Sequence, residues 1–250
     1  MHVYIYDDFL NKKKFHNILN NIEIKLTDLG LNGKIIRLGA IKNVRQIINN
    51  EIQGGNKTLV AVGNDFTVNK IINSINFNDL NANTRLTLAI IPVERENNNI
   101  AKNIGIHHEI EACNLILARR IKKIDLIKAN DFYFINSAHI DSLGSMVDIE
   151  NKYEITCSTR GQVHILNLPA FENVASNPQD EKVEILIDST PSSFLKKKKE
   201  GLSFFSSDNI LIKNKDKKLI LDDSIEIPTP IKIKTSGQQL NIIVGKERNF

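Results

Sequence analysis

Cysteine is nearly absent from this chain of 250 residues: Cys113 and Cys157 stand far apart and in no Cys-x-x-Cys spacing. That excludes a disulfide framework and a thiol-built zinc site, and leaves two buried thiols as the expectation. Long apolar runs are missing as well, none approaching the roughly 18 residues of a membrane-spanning helix. The sequence opens directly on a strand-like Val3-Tyr4-Ile5-Tyr6 without a secretory apolar region, so a cytoplasmic location is expected. Any excess of one sign of charge is also small. A net charge of +4 is too weak a bias to indicate a nucleic-acid partner, and none is expected. What remains is a globular composition, 41% hydrophobic and 25% charged, long enough for one large or two modest domains.

The first half alternates short apolar strands with helical spacing. Val3 to Tyr6 reads as a strand, and Phe15, Ile18, Leu19, Ile22, Leu26 and Leu29 recur at helical spacing as far as Gly30, a C-cap position. Lys34 to Leu38 is a second strand; Val44, Ile47, Ile48 and Ile52 continue as a helix that Gly54-Gly55 ends. This alternation predicts βαβ units, hence a parallel sheet with helices on both faces. Ligands of such sheets bind beyond the C-terminal ends of the strands, where Asp7-Asp8, Leu38-Gly39, Gly63 to Thr67 and Val93 to Asn99 all fall.

One junction organises this half. The β-branched run Leu59 to Val62 meets Gly63, Asn64 and Asp65, and helical spacing resumes at Phe66, Ile71, Ile72 and Ile75. A strand, a tight loop and a helix in that order aim backbone N–H groups and a positive helix end at one spot, which suits a phosphate. Spacing alone also describes an ordinary strand-to-helix turn, and one Gly does not separate the two. Farther on, Ile100 to Ile106 and Glu109 to Arg119 read as helices. His107 and His108 are neighbours without a supporting third ligand, so no metal is assigned to them.

From about Phe132 the apolar period changes from 3.6 to 2. Short runs separated by Gly, Asn, Asp and Pro follow: Tyr153 to Thr156, Val163 to Leu168, Val183 to Ile187, Ile210 to Ile212, Leu219 to Leu221, Ile231 to Lys234 and Leu240 to Val244. The fold class expected is therefore α/β plus all-β, a parallel α/β domain over 1–125 followed by an antiparallel β-sandwich over 126–250. Asp222-Asp223 reads either as a turn between strands or as a pair of functional carboxylates. Lys196 to Lys199 is either a solvated face or a contact for anionic lipid headgroups, and Phe204-Phe205 is either an apolar foothold beside it or core.

Gly63-Asn64-Asp65-Phe66-Thr67-Val68-Asn69 resembles the Gly-Gly-Asp-Gly-Thr signature of the diacylglycerol kinase catalytic domain, lipid kinases that share a superfamily with NAD kinases; two of its glycines are replaced. Leu88 to Val93 is similar to that family's strand ending in Ile-Pro-Leu. Beyond it, Glu94-Arg95-Glu96-Asn97-Asn98-Asn99-Ile100-Ala101-Lys102 stands in place of Gly-Thr-Gly-Asn-Asp-Phe-Ala-Arg. Lys122 to Leu126, Tyr133 to Asn136, Asn177 to Glu184 and Leu219 to Ser224 resemble further family stretches, so the likeness covers nearly the whole chain. Asp7-Asp8, where the family has Asn-Pro, and Ser224, where it has glutamate, are departures.

The resemblance implies ATP-dependent phosphorylation of a diacylglycerol-like or other lipid hydroxyl. Gly63, Asn64, Asp65, Thr67 and Asn98 would surround the nucleotide, Mg2+ would bridge its phosphates, and Asp222 would be the candidate base, since a positioned carboxylate accepts the hydroxyl proton. The lost glycines and glutamate imply slow or absent catalysis, and Phe66 weakens nucleotide binding whether it turns inward or stands in the crevice. Two alternatives stay open: a catalytically impaired pseudokinase that binds nucleotide or lipid, and NAD kinase-like activity, for which no dinucleotide motif is present. The partners implied are a nucleotide, a lipid acceptor and a membrane surface contacted through Lys196, Lys197, Lys198 and Lys199.

Overall fold

The apolar runs of the first half pair in parallel. In the computed structural model, which describes residues 1–40, 43–80, 86–94, 96–171, 174–188, 201–248 and 250, strands β1 (His2–Tyr6), β2 (Gly33–Arg37), β3 (Thr58–Gly63) and β4 (Thr87–Pro92) lie in the order β2-β1-β3-β4. Registers are regular: Val3 sits opposite Leu59 and Lys34, and Val60 opposite Ala89. The end of the last strand, at Asn241 and Ile242, adds in parallel to β4. Every residue of β3 and β4 is buried, as expected of central strands covered on both faces.

The helices are α1 (His16–Asp28), α2 (Val44–Gln53), α3 (Asp65–Ile72), α4 (Asn99–Asn103) and α5 (Glu109–Ala118). Helix α5 packs on β4 and on α1, whereas α3 packs on β3 and on α2. The spacing that predicted α1 buries Leu19, Ile22 and Leu26, and Gly30 at φ +66 stops the helix. The chain then returns through Leu31, whose carbonyl accepts the Tyr4 hydroxyl at 2.6 Å. These elements form one unit, Met1–Ile124 with Leu240–Asn249.

The second unit, Asp125–Gln239 with Phe250, contains no helix among its described residues. Its strands are β5 (Ile121–Ala129), β6 (Phe132–Phe134), β7 (Ser137–Asp141), β8 (Met146–Ile149), β9 (Tyr153–Thr156), β10 (Gln162–Leu166), β11 (Val183–Asp188), β12 (Leu202–Ser207), β13 (Asn209–Lys213), β14 (Lys218–Leu221), β15 (Ile225–Pro228) and β16 (Ile231–Ile243). One antiparallel layer runs β16-β13-β8-β9 and the other β12-β11-β10-β7-β14-β15. Alternate residues of both layers, among them Val147, Ile210 and Ile233 from one and Ile140, Ile165 and Ile185 from the other, share one core. The change of apolar period thus marks the change from α/β to β-sandwich.

Two details differ from the sequence reading. The runs read separately as Ile231 to Lys234 and Leu240 to Val244 lie on one strand, Ile231–Ile243, with Gly237 at φ +69 between them. Leu240–Asn249 group with the first unit, whereas the sequence reading kept all of 126–250 together; periodicity cannot show which sheet a strand joins.

Tyr4→Phe removes a buried hydrogen bond and leaves the Leu31 carbonyl without it. A loss of about 1 kcal/mol is expected in the first unit's denaturant transition; unchanged stability would mean the hydroxyl contributes nothing.

Candidate functional site

The four loops at the C-terminal ends of the parallel strands meet. Asp7, just past β1, accepts the Thr67 hydroxyl on Oδ2 at 2.9 Å, and Lys70 Nζ lies 3.8 Å from the same oxygen. The Asp8 carboxylate lies so close to Gly39 that a side chain there would collide with it. Past β3, the Asn64 amide group donates to Glu94 Oε2 at 3.1 Å, and Lys14 stands 3.8 Å from the other Glu94 oxygen. A crevice collecting these loops was legible from the sequence; the contacts inside it were not.

The Gly63–Thr67 loop is bonded to itself and to the loop after β4. The Asn64 backbone N–H donates to Thr67 Oγ1 at 3.2 Å, within the first turn of α3. The Asp65 N–H donates to the Asn97 carbonyl at 2.8 Å. The Asp65 carboxylate, 2% exposed, accepts the N–H groups of Asn99 at 2.7 Å and Ile100 at 3.1 Å, capping α4. Gly63 is required by close approach, since a Cβ on it would overlap Thr67 Oγ1 and stand 2.9 Å from Thr67 Cβ. Phe66 points outward, 49% exposed, so of the two placements expected for it the inward one does not occur.

A cleft of about 820 Å3 opens at the loop after β4, bounded by Val93, Glu94, Asn98, Lys102, His107 and Glu109. Asn98 is buried, its amide group bonded to the Glu94 carbonyl, and its Oδ1 has no hydrogen-bond partner among the described residues. His107 faces Glu247 at 3.4 Å. No group of three metal-ligating side chains occurs among the described residues. Cys113 and Cys157 are buried and unpaired, and burial pushes the Cys113 thiol up to about 11.

Asp222 belongs to the second unit, in the turn between β14 and β15, where both it and Asp223 have left-handed φ values that aspartate tolerates better than most residues. It is 1% exposed. Its Oδ1 accepts the N–H groups of Asn136 at 2.9 Å and Ser137 at 2.8 Å, and its Oδ2 accepts that of Ile135 at 3.1 Å. Burial outweighs these three bonds and raises the carboxyl to about 6. A carboxylate committed in this way fastens the turn to the start of β7 and presents no exposed base to an acceptor. The turn reading of Asp222-Asp223 therefore describes its geometry.

Sequence reasoning missed the neighbours of that turn. Asp223 lies 3.6 Å from His139 Nδ1, the His139 and His164 rings are 6.0 Å apart, and Phe171 meets His164 edge-on at 4.9 Å. The signal was present as a strand period, since antiparallel pairing sets His139 directly opposite His164. Phe204 is exposed and Phe205 packs against the sandwich core. Lys196 to Lys199 lie outside the described residues.

Gly63→Ala should force Thr67 off Asp7 and Asn64, costing about 1–3 kcal/mol as overpacked sites do; urea denaturation checks this, and wild-type stability would show that the interlock yields freely. Asp222 carries a pH signature. Its folded carboxyl near 6 lies above the unfolded value of 3.8, so the folded state holds the proton more tightly and stability falls as pH rises from about 4 through about 6. Asp222→Asn should abolish that step and lose about 1–3 kcal/mol by setting an amide against a backbone N–H; thermal melts across that pH range read both.

The profile of the diacylglycerol kinase catalytic domain matches residues 2–129. No curated protein matches significantly. Among solved structures, a diacylglycerol kinase from Bacillus anthracis superposes with a TM-score of 0.75 at 18% identity, over 98% of this chain and 97% of that one. An NAD kinase from Archaeoglobus fulgidus, solved in complex with ATP, superposes with a TM-score of 0.59 at 14% identity, over 99% and 95%. At these identities the superpositions speak for the fold alone, which is the parallel α/β part followed by an antiparallel β part expected from the change of period. The profile match, over more than half of the chain and including the Gly63–Thr67 loop, carries the assignment: the chain belongs to the diacylglycerol kinase catalytic-domain family.

Proposed function

We propose that this chain is a lipid-kinase-like protein whose nucleotide site is closed by its own side chains, so that Mg-ATP binds weakly and phosphoryl transfer to a diacylglycerol-like or other lipid hydroxyl is slow or absent. The observation that carries this reading is the Asp65 carboxylate seated on the N–H groups of Asn99 and Ile100. Those donors, with the N–H groups of Asn64 and Asp65, are the ones a phosphate would need at this junction, and each already has a partner. Asp7 and Glu94 add negative charge on either side, touching Thr67 and Asn64. As arranged, Gly63, Asn64, Asp65, Thr67 and Asn98 do not fit the phosphates of a nucleotide or a Mg2+ ion that would bridge them, and no step is derived through either. Asp222 is assigned to holding the β14–β15 turn rather than to catalysis.

An active lipid kinase is the second reading. It is supported by the 820 Å3 cleft at the loop after β4, a volume within the range of roughly 300–1,000 Å3 typical of small-molecule sites. It requires Asp65 to release α4 when nucleotide arrives. NAD kinase-like activity has weaker support, because the sequence offers no dinucleotide motif.

Calorimetry with Mg-ATP and a kinase assay over several lipid acceptors separate the first two readings. Affinity weaker than micromolar and turnover far below that of a lipid kinase with the full glycine signature are expected; micromolar binding with ready turnover would overturn the proposal. Replacing Asn64 and Phe66 together by glycine should tighten Mg-ATP binding by freeing the backbone to approach the phosphates. Since Phe66 is half exposed, its loss costs helix propensity of about 1 kcal/mol rather than core packing. A folded double variant that binds no better would show that the missing glycines are not what limits the loop.

A further inference from the structure

At one edge of the six-stranded layer, β11 and β12 pair antiparallel with Glu184 opposite Ser206 and Leu186 opposite Phe204. Alternation places these four on one face, because Val183, Ile185 and Ile187 take the other and enter the core. Glu184, Phe204, Phe205 and Ser206, with Val174 and Ala175, line a cavity of about 420 Å3. Phe204 is 54% exposed although large and apolar. Glu184 Oε2 is shielded from solvent and has no hydrogen-bond partner among the described residues. Burial first, and the charge of Asp180 second, push this carboxyl up to about 7.

The geometry points to a binding site for an aliphatic amine, its chain against Phe204, Val174 and Ala175 and its ammonium on Glu184 Oε2. Valine, alanine and phenylalanine side chains offer a hydrocarbon chain an apolar wall and offer a polar head no bond. The orphaned oxygen needs a hydrogen-bond donor, and an ammonium group supplies three together with a compensating charge. Asp180 favours a cation further and opposes a carboxylate head. An alcohol satisfies the oxygen but leaves the charge uncompensated. The site lies wholly in the second unit and does not depend on the nucleotide reading.

Two-dimensional 15N NMR titration of the full chain tests it, with decylamine, decanol and decanoate each kept below its micelle concentration. Decylamine should shift the amides of Ala175, Glu184 and Phe204 saturably and bind at least about tenfold more tightly than decanol, the factor for 1.4 kcal/mol of charge pairing; decanoate should leave these amides in place. Glu184→Gln should bring decylamine down to the affinity of decanol, and Phe204→Ser, at an exposed position, should weaken both. Unmoved amides elsewhere in the spectrum establish that each variant is folded. Equal affinity for decylamine and decanol, decanoate binding at the same residues, an undiminished amine preference in Glu184→Gln, or no saturable shift with any of the three would overturn the proposal. No nucleotide is present, so failure here and failure of the kinase-like reading are distinguishable.

Discussion

A single carboxylate joins the two loops on which the first unit's crevice is built. Asp65 begins α3 and its side chain caps α4, so the N-termini of two helices are tied through one residue. Without it, the Asn99 and Ile100 N–H groups would need another acceptor in a place where little solvent reaches, and buried donors without acceptors are costly. The rest of the loop follows from this fixture. Thr67 turns back to accept the Asn64 N–H and donates to Asp7, and Gly63 has to lack a side chain because Thr67 occupies the space where one would stand.

The same fixture sets the electrostatics. Helix N-termini attract anions through their partial positive charge and unpaired N–H groups, and here protein carboxylates serve that role: Asp65 at α4 directly, and Asp7 beside α3 through Thr67. Lys70 and Lys14 stand at the margins, each within 3.8 Å of Asp7 or Glu94. The cations that would draw a polyphosphate toward this crevice are thus partly spoken for by side chains of the protein itself. A loop that keeps three of the five signature residues can in this way hold its fold while its donors are consumed internally.

How far the sequence could be read follows from the range of each interaction. The strands and helices of the first half were legible because burial on two faces writes continuous apolar runs, and on one face writes helical spacing, both local signals. The sandwich was legible from the change of period. The meeting of Asp7, Gly63–Thr67 and Glu94 followed from parallel pairing and needed no contact to be known. What could not be read is which atom bonds to which: Asp65 looks the same in a phosphate loop and in a cap for a helix 34 residues away, and only the fold decides. Asp222 is ambiguous in sequence for the same reason, since an Asp-Asp pair before a strand reads as function or as turn, and the three N–H groups of 135–137 that it accepts are visible only in the fold. Leu240 to Val244 was read as a strand, but its sheet depends on long-range pairing that carries no sequence signature.

Asp222 and Glu184, both in the second unit, show how burial alone fails to identify function. Burial raises each carboxyl well above its ordinary value, to about 6 and about 7. They differ in what surrounds the oxygens. Asp222 is met by three backbone N–H groups, so the cost of burying it is offset by the turn it fastens, and the fold accounts for it completely. Glu184 buries an oxygen that no described group meets, at the rim of an apolar cavity, on the strand next to the sheet's edge. A sandwich gains nothing from that arrangement by itself, because a glutamine or an apolar residue at 184 would fit the edge at less cost. A donor from outside the described residues, such as the ammonium proposed above, would account for the carboxyl.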